Sequence, residues 1–123
     1  MSFTVLVVDD EPDVRLALRA MLESQGWKVE EAATGEEALE RCRRPGIDVV
    51  VLDHKMPGLT GMEVARILRE EGFRKPIVIY SAYLTLDIEQ EAEAMGLWGV
   101  AKEDVEELMG TLRDISGNDH KER

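Results

Sequence analysis

Apolar residues follow two rhythms along this chain. Phe3 to Val8, Ile47 to Leu52 and Pro76 to Tyr80 are short, rich in β-branched residues and almost continuously apolar, the pattern of strands buried on both faces. Between them the spacing lengthens to that of helices. Val14, Ala17, Leu18 and Met21 fall at i, i+3, i+4 and i+7, as do Val105, Leu108, Met109 and Leu112. Shorter versions occur at Val64, Ile67 and Leu68 and at Ile88, Ala92 and Met95, and each stripe predicts one face turned toward a core. The punctuation agrees. Pro12 suits a first helical position, Thr34 with Glu37 and Thr60 with Glu63 have the spacing of capping boxes, and Gly26, Gly72 and Gly96 stand where helices should stop. Five strand-helix units result. Lys28 to Ala32 is charged and Trp98 to Ala101 is interrupted by Gly99, so these weakest strands are expected at the sheet edges.

Alternating strands and helices imply an α/β fold with a parallel sheet, right-handed crossovers and helices on both faces. In such sheets ligands sit beyond the carboxyl ends of the strands, near a topological switch point. The residues expected at that rim are chemically distinctive: Asp9, Asp10 and Glu11 follow the first strand, Asp53 the third, Ser81 the fourth and Lys102 the fifth. Neighbouring carboxylates raise one another's pKa unless a cation relieves them, and oxygen-only donors suit Mg²⁺. With such an ion in place, one carboxylate can act as a nucleophile. Lys102 can meet an incoming anion as a compact charge and Ser81 can donate a hydrogen bond to it. That is the outline of a phosphoryl-acceptor site. In VVVLDHKMPG, residues 49–58, a buried strand delivers Asp53 and the Pro57-Gly58 turn fixes the loop behind it.

Size and charge narrow the picture. The 123 residues suit one domain, and the formal charge of −11, with no cluster of Lys and Arg large enough to offset it, makes the chain a poor candidate for gripping nucleic acid or an anionic membrane by itself. The apolar runs are far shorter than the ~20 residues that cross a bilayer. A lone cysteine, Cys42, and an N-terminus without a basic leader point to a cytoplasmic setting. Cys42 shares a stripe with Ala38 and Leu39 and reads as a small buried hydrophobe, the methionines read as core, and Trp98 reads as packing against the sheet edge. His54 should point away from Asp53 as a structural or partly exposed residue, and His120 falls in the polar tail.

Taken together, Asp9 and Asp10, Asp53 with Met56 and Pro57 after it, Ser81 followed by Ala82, and Lys102 give residues 3–113 a clear resemblance to the response-regulator receiver domains of two-component signalling. The resemblance implies a flavodoxin-like (βα)5 fold with strand order 2-1-3-4-5, over residues 1–113, followed by a polar tail or linker at 114–123. It implies that Asp10, Asp53 and the backbone carbonyl of Lys55 hold Mg²⁺ directly and Asp9 through water. Asp53 would take phosphate from a sensor histidine kinase or a histidine phosphotransfer protein, with Ser81 and Lys102 on the phosphoryl oxygens. The domain would be a switch for a partner or output domain, assisting its own phosphorylation and dephosphorylation without being an enzyme. A phosphorelay shuttle and a phosphorylation-independent pseudo-receiver are alternatives. A Mg²⁺-dependent phosphohydrolase of the haloacid-dehalogenase type would place a second acid where Lys55 stands, and a flavodoxin-like cofactor binder would need a phosphate loop after the first strand.

The sequence departs from that family's pattern in three places. Glu103 stands where receivers commonly have a proline after the lysine in a cis peptide. A cis bond to a non-proline residue costs ~3 kcal/mol, so the loop either keeps that strain or is trans and presents Lys102 differently. Gly99 replaces the usual aromatic switch residue, which leaves Trp98 and Tyr83 as switch candidates, and Lys55 and Tyr83 flank the path of a hydrolytic water. Finally, Pro76 to Leu112 carry one base against eight acids, so the 86–112 face is suited to a basic partner and not to a like-charged copy of itself.

Overall fold

The computed structural model describes residues 3–121, with side-chain environments given as far as Gly117. Continuous burial is the signature of the inner strands, and β1 (Thr4–Val8), β3 (Val49–Leu52) and β4 (Ile77–Ser81) are buried at every position. They alternate in chain order with the helices α1 (Pro12–Glu23), α2 (Gly35–Cys42), α3 (Gly61–Glu70), α4 (Leu86–Ala94) and α5 (Val105–Lys121). The two strands with weak patterns, β2 (Lys28–Ala32) and β5 (Trp98–Ala101), take the edges of a parallel sheet ordered β2-β1-β3-β4-β5. Edge β2 tolerates its charges because they alternate between helices. Glu31 pairs with Arg15 and Arg19 of α1 at 2.9 and 2.7 Å, while Glu30 pairs with Arg41 of α2.

Two cores sandwich the sheet. One holds Leu6, Val8, Val50, Leu52, Ile77 and Ile79 under α2, α3 and α4; the other holds Val5, Val7, Val51, Val78, Tyr80 and Val100 under α1 and α5. The caps are largely as the spacing predicts. Thr60 and Glu63 form a full capping box, whereas Glu37 reaches past Thr34 to the Ala33 N–H, and Gly58, Gly72 and Gly96 adopt the positive φ that favours glycine.

Three expectations need correction, and one open alternative is decided. On α1 the expected Val14, Leu18 and Met21 do pack on the core, but Ala17 is exposed and Leu22, four residues on from Leu18, takes the fully buried place instead. Trp98 is 42% exposed at the start of edge strand β5, which among the described residues has a neighbouring strand on one side alone. No peptide bond is cis among the described residues, so the Lys102-Glu103 link is trans. The segment expected to be a loose tail from residue 114 is helical: α5 runs to Lys121, and Ile115 continues the stripe of Leu108 and Leu112 at 6% exposure. His120 lies beyond the residues whose side chains are described.

Removing the Ile115 side chain should therefore cost about 2 kcal/mol of unfolding free energy. Urea denaturation of Ile115→Ala checks this, and an unchanged midpoint would show that the end of α5 contributes nothing to the core.

Candidate functional site

The site is assembled by strand register. Val8 at the end of β1 lies beside Leu52 at the end of β3, and the Asp53 N–H donates to the Val8 carbonyl at 2.9 Å. Asp9 and Asp53 thus emerge side by side at the point where β1 turns to β2 on one side and β3 on the other, the crevice expected of a doubly wound sheet. Arg15 of α1 donates to the Asp9 carbonyl at 2.6 Å, and the Asp9 carboxylate accepts the Glu11 N–H at 2.9 Å.

Carboxylate oxygens of Asp9, Asp10 and Asp53 lie within 4.8 Å of one another, with Asp9 and Asp53 buried and Asp10 exposed. Lys102 enters from the end of β5, its Nζ 2.8 Å from Asp9 Oδ2 and 3.4 Å from Asp53 Oδ2. The trans link to Glu103 has not prevented its reach. Ser81 is 1% exposed at the end of β4, where its Oγ accepts the Tyr83 N–H at 3.2 Å. Asp10, Glu11, Asp53, Lys55, Ser81, Tyr83 and Lys102, with Ala82, line one cleft of about 190 Å³. Six of the residues marked out in the sequence (Asp9, Asp10, Asp53, Ser81, Lys102 and Tyr83) are thereby brought together, and the Lys55 side chain joins them with Nζ 5.3 Å from the Tyr83 ring centroid. Trp98 is not in this group. It begins β5, four residues before Lys102, or roughly 13 Å along an extended strand.

The charges are strained by design of the fold. Burial, and then the neighbouring Asp9 carboxylate, push the Asp53 carboxyl up to about 6, with Lys102 pulling the other way. Burial disfavours the Lys102 charge most, yet its contacts with Asp9 and Asp53 prevail and its pKa is raised. Three carboxylates against one ammonium leave excess negative charge from hard oxygen donors, a set that fits a divalent ion such as Mg²⁺.

Two residues at the site were not marked out in the sequence. Gly61 opens α3 directly behind the acceptor, and a Cβ there would fall 2.4 Å from the Asp53 carbonyl oxygen. Tyr80, counted only as an apolar strand residue, donates its hydroxyl to the Lys102 carbonyl at 3.0 Å. A buried tyrosine needs such a partner, which was the available signal. His54 proves structural: its Nδ1 accepts the Met62 N–H at 3.3 Å, and burial lowers its pKa. Cys42 is half-buried against the core, and burial pushes its thiol up to about 11.

A doubly wound α/β domain with an acid cluster, a hydroxyl and a lysine at successive strand ends defines a class of phosphoryl-accepting signalling domain. The model of the response regulator receiver domain matches residues 5–113, and the chain belongs to that family. Sporulation initiation phosphotransferase F of Bacillus subtilis is 33% identical over 98 residues, covering 78% of this chain and 77% of that protein. Response regulator MprA of Mycobacterium ulcerans is 46% identical over 82 residues, 67% of this chain but 35% of that regulator, so the chain spans about a third of its length. Among solved structures, TrrA from Thermotoga maritima is 32% identical with a TM-score of 0.82 over 92% of this chain and 98% of TrrA. TrrA was solved with Mg²⁺-BeF and also with the histidine kinase ThkA.

The raised Asp53 pKa has a measurable sign. Between about pH 4 and about pH 6 the unfolded chain ionises this group before the folded one does, so the folded state loses relative stability as pH rises. In buffer with EDTA, Asp53→Asn should exceed the wild type in stability by about 1–3 kcal/mol near pH 7.5, and by almost nothing near pH 4. Urea unfolding at both pH values gives the comparison; a pH-independent difference contradicts this account.

Proposed function

We propose that Asp53 is the phosphoryl acceptor of a signalling switch, charged from a histidine kinase or a histidine phosphotransfer protein. The observation that carries this reading is the buried Asp53 carboxylate at the end of β3, with Lys102 Nζ 3.4 Å away and Asp9 and Asp10 beside it. Asp9, Asp10, Asp53 and the Lys55 carbonyl would hold Mg²⁺, which when bound neutralises carboxylate and phosphoryl oxygens.

The chain's own residues supply the rest. An Asp53 carboxylate oxygen forms the new bond to phosphorus as the phosphorus-nitrogen bond of the donor phosphohistidine breaks, its electron pair leaving on the imidazole nitrogen. The buried strand holds that oxygen for in-line attack. Lys102 turns from the carboxylates to the new phosphoryl oxygens. Ser81 donates its hydroxyl to another of them, and because Ser81 Oγ also accepts the Tyr83 N–H, a shift of Ser81 draws on the loop leading into α4. Tyr83, with Lys55 against its ring, covers the approach of water and is the better situated switch candidate, Trp98 being remote from the cleft. A kinase donor fits a cytoplasmic domain, and no helix among the described residues is long and apolar enough to cross a membrane. Output would be read at α4 and β5, where Leu86 and Trp98 are exposed among acidic residues, by a basic partner or an attached domain. The kinship with sporulation initiation phosphotransferase F favours a second reading, in which Asp53 hands its phosphoryl group on to another histidine.

Intact mass after incubation with acetyl phosphate and Mg²⁺ should show a single phosphoryl adduct on the wild type and none on Asp53→Asn. No adduct on a folded wild type would refute the acceptor role. Tyr83→Ala should then lose its phosphoryl group several-fold faster than the wild type, and an identical decay rate would remove Tyr83 as a shield.

A further inference from the structure

Lys102 reaches the acceptor on a flexible stem, so the aim of its ammonium depends on how the backbone at residue 102 is held. That backbone lies just past edge strand β5, and with Glu103 next in sequence no proline ring restrains it. The end of β4 holds it on both sides instead. The Lys102 N–H donates to the Ser81 carbonyl at 2.9 Å, and the Lys102 carbonyl accepts the Tyr80 hydroxyl at 3.0 Å. Tyr80 is 5% exposed, in the core formed with Val51, Val78, Val100 and Leu108, so its hydroxyl stands on a post that cannot follow movements of the loop. Successive residues point to opposite faces of a strand. Ser81 therefore faces the cleft while Tyr80, its neighbour, grips from the core side the loop that carries the other phosphoryl-contacting group.

We infer that Tyr80 is a positioning residue for Lys102: its hydroxyl fixes the Lys102 carbonyl, and thereby keeps the ammonium directed at Asp53 and at a phosphoryl group on it. This rests on the acceptor role of Asp53 and adds to it a residue that never touches the phosphoryl group. Tyr80 acts through the lysine; the residues that would hold Mg²⁺ are themselves tied to β1 and β3.

The test is Tyr80→Phe, which keeps the ring and removes the hydroxyl. Binding of Mg²⁺ alone and of beryllofluoride in saturating Mg²⁺ is followed by NMR titration, alongside the rate of phosphorylation by acetyl phosphate. Tyr80→Phe should bind Mg²⁺ at least as tightly as the wild type, because a loosened Lys102 competes less for Asp9 and Asp53, yet lose about five- to tenfold in beryllofluoride affinity and phosphorylation rate, the scale of one hydrogen bond. In a Lys102→Met background the same substitution should have no further effect, since its action runs through the lysine. Unchanged beryllofluoride affinity in Tyr80→Phe, or an equal loss in the Lys102→Met background, would overturn the inference and leave Tyr80 a packing residue. A wild type that takes neither beryllofluoride nor phosphate would defeat the acceptor reading itself, so the two failures are distinguishable.

Discussion

The ammonium of Lys102 between the carboxylates of Asp9 and Asp53 is the contact on which the molecule depends. Both carboxylates are nearly withdrawn from water, where two like charges side by side are costly, and one cation offsets only part of that cost. Three strands must end level for the contact to exist: β1 bringing Asp9, β3 bringing Asp53 and β5 bringing Lys102. A slip of one residue in any of them would turn its side chain to the other face. The two cores, packed on opposite faces of the sheet, are what forbid that slip.

That arrangement leaves the site charged but unfinished. Burial, and then the neighbouring negative charge of Asp9, keep Asp53 hard to ionise. The routes outward are short. Ser81 holds the Tyr83 amide, so the hydroxyl that would contact a phosphoryl group is already tied to the loop before α4. Tyr80, one residue earlier, holds the Lys102 loop before α5. The end of β4 thus reaches both the loop before α4 and the loop before α5.

The surface charges are distributed unevenly. Arg15, Arg19, Arg41 and Arg43 are paired with Glu30, Glu31 and Glu71 around α1, α2 and α3, and Arg66 with Glu91 links α3 to α4. Asp87, Glu89, Glu93, Glu103, Glu106 and Glu107 have no ion-pair partner among the described residues. Two copies meeting through α4 and α5 would oppose like charges.

Much was legible in the sequence because it is local. Continuous β-branched runs, capping spacings and glycine stops depend only on the residues concerned, and they set five strands, five helices and the strand-end positions of Asp9, Asp53, Ser81 and Lys102. The weak patterns of β2 and β5 even set the edges, since only edges tolerate them. What the sequence left open depends on neighbours remote in the chain. The trans peptide after Lys102, the exposure of Trp98 and Ala17 and the helical run past residue 114 follow from which surfaces the sheet and helices cover. The close seat of Gly61 behind Asp53 and the Tyr80 hydroxyl on the Lys102 carbonyl join residues whose proximity no local spacing encodes. Local rhythm chose the elements and their chemistry; only packing in three dimensions decided which atoms hold the reactive groups in place.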